Sequence, residues 1–184
     1  METLTFEDIK QMFKETDLKF KETDLKFKET DRRFKEIQEE LGGIGKSNGE
    51  IAEDFFYTGL SANMKIGRME FDYIDRNYKR KHTKSNTEAQ YDIILYNDYK
   101  VLIVEVKYNF REKYLRDFYN GGLKKFKTLF PQYSEYKVYG AIAAMTFEKN
   151  VVQEAENYGF YVFTQNNDNI KIINSDGFEP NVIK

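Results

Sequence analysis

Hydrophobic positions return every seven residues over the first forty residues of the chain. Phe6, Phe13, Phe20, Phe27, Phe34 and Leu41 share one heptad position, and Ile9, Thr16, Thr23, Thr30 and Ile37 follow the first five by three residues. That is the spacing of a and d sites along one face of a helix. Its core is a repeat, KETDLKF, KETDLKF, KETDRRF, over residues 14–34. Leu18 and Leu25 form a second, shorter apolar strip, and Lys and Glu fill much of the remainder. A polar helix of this kind cannot bury a Phe stripe by itself. A partner helix is therefore expected, from a second copy of the chain, which makes the protein a homo-oligomer through its N-terminal helix. Thr at the d sites packs less apolar area than Leu would and leaves the number of copies open. A solvated single helix, or one that docks on a different protein, is the alternative.

Gly42-Gly43-Ile44-Gly45 ends the repeat and reads as a helix stop and hinge. The expected division is a coiled-coil helix over 1–41, a glycine hinge over 42–48 and a globular domain over 49–184. Ser47 or Asn48 can cap a new helix carrying Ile51, Phe55 and Phe56. Met69, Phe71 and Tyr73 then alternate with Glu70 and Asp72, which is strand periodicity, and a basic run follows at 76–84. Strands are predicted at 90–96 and 99–107, joined by a turn at Asn97-Asp98. A helix over 112–129 closes at Pro131. Next come a buried strand over 138–145, a helix over 148–159 with a Gly stop, and strands over 160–165 and 170–174. This order implies an α/β layer fold with a mixed sheet.

Composition narrows the chemistry. The chain has 184 residues, 40% hydrophobic and 33% charged, which suits one domain of ordinary size plus a very polar segment. It contains no cysteine, so disulfides, thiolate zinc sites and cysteine nucleophiles are excluded. His82 is its single histidine, so a Ser-His triad or a His-rich metal site is excluded too. Enzyme chemistry would rest on carboxylates, lysines, tyrosines or a metal held by oxygen. The net charge of −2 gives no overall attraction to nucleic acid, so such contact needs a local basic patch. With no long apolar run and no charged-then-apolar leader, a soluble, cytoplasmic protein is expected.

The segment VLIVEVKYNF, residues 101–110, reads as a central strand interrupted by Glu105 and Lys107 on one face. Charges in such a strand are costly unless paired or bound to something. A hairpin about Asn97-Asp98 sets Tyr96 opposite Tyr99 and Asp92 opposite Ile103, on the same face as Glu105 and Lys107. Asp92 and Glu105 are then diagonal neighbours, with backbones roughly 7–8 Å apart. Two carboxylates at that distance can share one Mg²⁺ or Mn²⁺. The ion would polarise a phosphate and acidify a water, with Lys107 acting on the water or on the phosphate charge. This is the chemistry of metal-assisted phosphodiester hydrolysis.

Asp92, twelve residues and then Glu105-Val106-Lys107 resembles the motif of the PD-(D/E)XK nuclease superfamily. The wider match is to bacterial proteins of unassigned function with a Thr-Asp-rich coiled-coil leader and a nuclease-like domain (the DUF3782-type group). It covers nearly the whole chain, through the KETD leader, LGGIGKSNGEIAEDFF, FDYIDRNYKRK, YDIILYNDYKVLIVEVKY, and FKTLFPQY followed by KVYGAIAAM. The resemblance implies a restriction-endonuclease-like mixed central sheet flanked by helices, and a metal-dependent nuclease, a DNA endonuclease above all. It also implies a further carboxylate from the helix before the motif. That role falls on Glu53, with Glu50 second. Asp92, Glu105 and Glu53 would hold the metal, and Lys107 would complete the catalytic set. Two positions depart from the pattern. Gln90 stands where related sequences often carry an acid, and Tyr91 replaces the motif's Pro.

Lys79, Arg80, Lys81 and Lys84 in the basic run are candidates for phosphate contact. The helix after the motif offers Arg111, Lys113, Arg116, Lys124, Lys125 and Lys127 as another such surface. The plain alternatives are a wet hairpin end for the basic run, and a structural ion-pair network for Asp92, Glu105 and Lys107. A different class of function also fits: a catalytically inactive nuclease-fold protein that binds nucleic acid or acts as a scaffold through its coiled coil.

Overall fold

The computed structural model describes residues 6–183, without the side chains of Asp8, Ile9 and Phe13. The seam side chains of Ile9 and Phe13, and residues 1–5 of the leader, therefore lie outside the described residues. The chain divides into two compact units, residues 1–46 and 47–184.

The helix α1 spans Phe6–Ala62, so the stop expected at Gly42-Gly43 does not occur. Each helical glycine costs about 1 kcal/mol relative to Ala, which weakens a helix without breaking it. The boundary between the units falls between Lys46 and Ser47. In the first unit Phe20, Phe27, Phe34 and Leu41 are all exposed. Ion pairs at i,i+4 join Lys26 to Glu22 and Arg33 to Glu29. No helix among the described residues is long and apolar enough to cross a membrane.

The second unit is an α/β fold around a mixed sheet. A short hairpin of β1 (Lys65–Ile66) and β2 (Met69–Glu70) turns at Gly67, whose φ of 57° suits glycine. The six-stranded sheet contains β3 (Tyr73–His82), β4 (Thr87–Tyr96), β5 (Lys100–Phe110), β6 (Lys137–Phe147), β7 (Tyr161–Asn166) and β8 (Asn169–Ile172). They lie side by side in chain order. The β5–β6 and β6–β7 pairs are parallel and the other three are antiparallel. The basic run makes up most of β3 and ends in the exposed β3–β4 hairpin turn; β3 is an edge strand, where exposed charge discourages further pairing.

Parallel neighbours need crossovers. The first is α2 (Glu112–Asp117), a π-helical turn (Phe118–Leu123) and α3 (Lys124–Leu129). The second is α4 (Val151–Tyr158), which ends at Gly159 in the left-handed region, as its Gly stop predicts. These crossovers cover one face of the sheet, burying Ile94, Val101 and Ile103 against Leu115, Phe118, Leu123 and Phe126. Ala52, Phe56 and Leu60 of α1 cover the other face, against Ile93, Leu95, Leu102 and Val104. Strand β5 is apolar on both sides because it is covered on both sides.

The β4–β5 turn corrects the expected register by two residues. Tyr96 pairs with Val101, not Tyr99. The tip is Asp98-Tyr99, because the Asn97 side-chain carbonyl accepts from the backbone N–H of both Tyr99 (3.1 Å) and Lys100 (2.8 Å). The Asn97 amide also donates to the Glu70 carbonyl (2.7 Å), which ties β2 to the turn. A slip of two keeps every side chain on its expected face. Asn97 is itself buried, and Asn97→Ala, which removes all three hydrogen bonds, is expected to lower the unfolding free energy by about 1–3 kcal/mol in urea titration. A loss below a few tenths would rule out this pinning role.

Candidate functional site

The sheet is distorted where β4 leaves β5. Their pairing runs from Tyr96↔Val101 to Ile93↔Val104 and stops. At the next position the Asp92 carboxylate, through Oδ2, accepts the Val106 backbone N–H (2.8 Å). A side chain thus replaces a strand at the point of parting. The β3–β4 ribbon also rolls over here. Ile93 and Leu95 face α1, whereas Ala89 and Tyr91 face the crossovers. On β3, Arg76 lies over the Tyr57 ring of α1, whereas Arg80 lies over Phe130 beyond α3. The switch falls at Asn77, whose φ is 52°, an angle Asn tolerates better than most residues. Strain of this kind recurs at functional sites.

Into this gap project Asp92, Glu105 and Lys107. The Lys107 ammonium donates to Glu105 Oε1 (2.6 Å), to the Val106 carbonyl (2.8 Å) and to Asp92 Oδ2 (3.4 Å). Three oxygens from two strands surround one cation. The expected convergence is therefore present, but the parting of β4 and β5 produces it, not strand parity alone.

Burial raises the Glu105 carboxyl to about 7, with the Asp92 charge adding to the rise and Lys107 opposing it. Burial works against the charged Lys107, but the carboxylates of Glu105 and Asp92 outweigh it and hold the ammonium above its ordinary value. Glu53 is raised as well, by burial first and the Asp92 charge second, while a hydrogen bond with Asn77 and the Lys107 charge oppose. Glu53 is thus within electrostatic reach of the cluster. Glu50, one turn earlier, is exposed.

The donor types suit a hard divalent cation: two carboxylates and a carbonyl, all oxygen. Yet among the described residues no three His, Cys, Asp or Glu side chains gather closely enough to hold a metal ion. Glu53 is near in charge but is tied to Asn77, and the ammonium of Lys107 lies among the gathered oxygens.

Glu105 also borders a cavity of about 260 Å³, lined further by Gln90, Asp117, Gly121, Gly122 and Lys125. Its far wall is the π-helical turn, a form that concentrates at functional sites. Tyr91 is buried and donates through its hydroxyl to the Gly122 carbonyl (3.1 Å), which anchors that turn. A larger cavity, about 790 Å³, lies away from the ion cluster, between the last turns of α1 and β7–β8.

Asn77, Gly121, Gly122 and Tyr91's anchoring role were not singled out in the sequence. Asn120-Gly121-Gly122 inside an expected helix was the available signal, since adjacent glycines weaken a helix interior. Lys79 (2.8 Å) and Lys81 (3.9 Å) both pair with Glu88, Arg80 stacks on Phe130, and Lys84 sits in the β3–β4 turn. Of the later lysines, Lys125 reaches the cavity. His82 bonds Ser85 in the exposed turn, as a surface residue would.

No family model, curated protein or solved structure matches the chain.

Proposed function

We propose that residues 47–184 form a restriction-endonuclease-like domain that hydrolyses phosphodiester bonds, of DNA above all, with Mg²⁺ or Mn²⁺. The observation that carries this reading is the set of three oxygens, from Asp92, Glu105 and Val106, gathered about one cationic nitrogen where two strands part. Asp92 and Glu105 would hold the ion, and Glu53 would assist once released from Asn77. When bound, the ion supplies Lewis acidity toward the phosphodiester. The chain's own groups do the rest. Lys107 orients the attacking water or meets charge growing on the phosphate. The cavity beside Glu105 admits the sugar-phosphate chain, with Lys125 placed to meet a phosphate.

The test is cleavage of plasmid, single-stranded DNA and RNA by the full chain with Mg²⁺, Mn²⁺ or EDTA. Asp92→Asn is the informative variant, because its amide oxygen can still accept the Val106 N–H while the charge is gone. Metal-dependent cutting is expected, falling by about 100-fold or more in the variant. A folded wild-type chain that cuts none of these substrates would overturn the proposal. One observation favours the non-catalytic scaffold instead, namely that three ligating side chains are not gathered among the described residues. That reading predicts no Mn²⁺ binding by calorimetry, whereas the nuclease reading predicts binding that Asp92→Asn abolishes.

A further inference from the structure

The heptad frame of the first unit carries a charge pattern as regular as its apolar one. With Phe20, Phe27 and Phe34 at a and Thr16, Thr23 and Thr30 at d, the e sites are Asp17, Asp24 and Asp31. The g sites are Lys19, Lys26 and Arg33. One flank of the seam is acidic and the other basic. Side-by-side helices bring g of one against e of the next heptad of the other when they run parallel, and g against g with e against e when antiparallel. In this chain the parallel arrangement sets Lys19 beside Asp24 of the other copy and Lys26 beside Asp31, each pair occurring twice by symmetry. The antiparallel arrangement sets like charge against like along both flanks.

The d-site threonines fit burial in such a seam. Each hydroxyl donates to the carbonyl four residues back, Thr16 to Met12 (2.7 Å), Thr23 to Lys19 (2.7 Å) and Thr30 to Lys26 (2.8 Å). Their hydrogen bonds are thus made within their own helix, and a facing chain meets their methyl groups without stranding a donor. The a-site rings remain exposed, Phe20 at 70% and Phe27 at 66%. Between Thr16 and Phe34 the seam is confined to a and d, a narrow stripe suited to two helices.

We infer that the N-terminal helix pairs with a second copy of this chain, parallel and in register, with the acid–base flanks setting the direction. This stands apart from the chemistry of residues 47–184, and its test reads association alone. The chain lacks cysteine, so Thr16→Cys and Thr30→Cys each introduce a single thiol into the full-length protein. A short bismaleimide should join Thr16→Cys chains to each other and Thr30→Cys chains to each other, with no cross-joined species after the two are mixed and allowed to exchange. Joining of one variant only to the other would establish the antiparallel arrangement and overturn the proposal. Sedimentation of wild type as a monomer, or as a trimer or larger, would also overturn it. The triple variant Asp17→Lys, Asp24→Lys, Asp31→Lys should weaken self-association by about 100-fold. It should recover a dimer with a chain carrying Lys19→Glu, Lys26→Glu and Arg33→Glu. Undiminished self-association of the first triple variant, or failure of the two to pair while both remain helical by circular dichroism, would remove the charge argument.

Discussion

A Lys107→Ala chain is expected to lose metal-dependent cleavage by about two to four orders of magnitude, and without divalent cation to melt below the wild type. Both effects follow from the position of one ammonium. Lys107 holds Glu105 at 2.6 Å and Asp92 at 3.4 Å, and both carboxylates are largely withdrawn from water. Removing one partner of a buried ion pair costs about 3–5 kcal/mol, because the remaining charge has lost its compensation. Here the lysine is about one-third exposed and Glu105 can neutralise itself by binding a proton, so about 2 kcal/mol is the expected loss near pH 7. The distinguishing feature is rescue. If the oxygens are a cation site, Mn²⁺ should raise the melting temperature of Lys107→Ala more than that of wild type, since the ion no longer competes with the ammonium. Cleavage should stay lost, because the ion does not supply the lysine's action on water or phosphate. Equal melting of both chains, with no cation-dependent rise in the variant, would reduce Lys107 to a surface charge.

How the site could be read in advance, and where that reading ends, follows from what each signal depends on. Two-residue periodicity is local, so the ionic pair Glu105 and Lys107 inside an apolar strand was legible, as were the order of strands and helices from β4 onward and the Gly stop at Gly159, whereas the alternation at 69–73 falls across β2, a loop and the first residue of β3. The register was not, because the Asn97 side chain moved the turn by one position, and a side-chain hydrogen bond of that kind leaves no mark on periodicity. The two-residue error was harmless to the faces, since strand geometry repeats every two residues. The roll of the β3–β4 ribbon at Asn77 and Asp92 was illegible for another reason. It arises from two covering layers that claim opposite faces of the same strands, Tyr57 on one side and Phe130 on the other. At Gly42-Gly43 the intrinsic preference against helix was read correctly, but its size, about 1 kcal/mol per residue, is too small to set a boundary alone.

Stability should fall as pH rises from about 4.5 to about 7, and Glu105→Gln should remove much of that fall. The Glu105 carboxyl is raised by burial to about 7 in the folded chain, against 4.5 ordinarily. Between those values the folded chain holds a proton that the unfolded chain has released, so each rise in pH favours unfolding. The stabilisation is complete below pH 4.5 and gone above 7. Over the whole window it amounts to about 3 kcal/mol, because a proton retained across one pH step is worth roughly 1.4 kcal/mol. Glu53, raised by burial and by Asp92, acts in the same direction. Lys107 works at the other end of the scale, since a raised ammonium keeps its stabilisation until well into the alkaline range. Urea unfolding at pH 5, 6, 7 and 8 reads the slope directly. Glu105→Gln should be flatter than wild type and the more stable of the two at pH 8. An unchanged slope in that variant would move the titration to Glu53. The same proton links stability to binding. With Glu105 protonated, Asp92 and Lys107 leave the cluster neutral; once it ionises, the cluster carries a net negative charge at the junction of β4 and β5. Affinity for Mg²⁺ or Mn²⁺ should therefore rise through pH 7, where the unliganded fold is losing stability, and saturating cation should flatten the wild-type slope as the glutamine does.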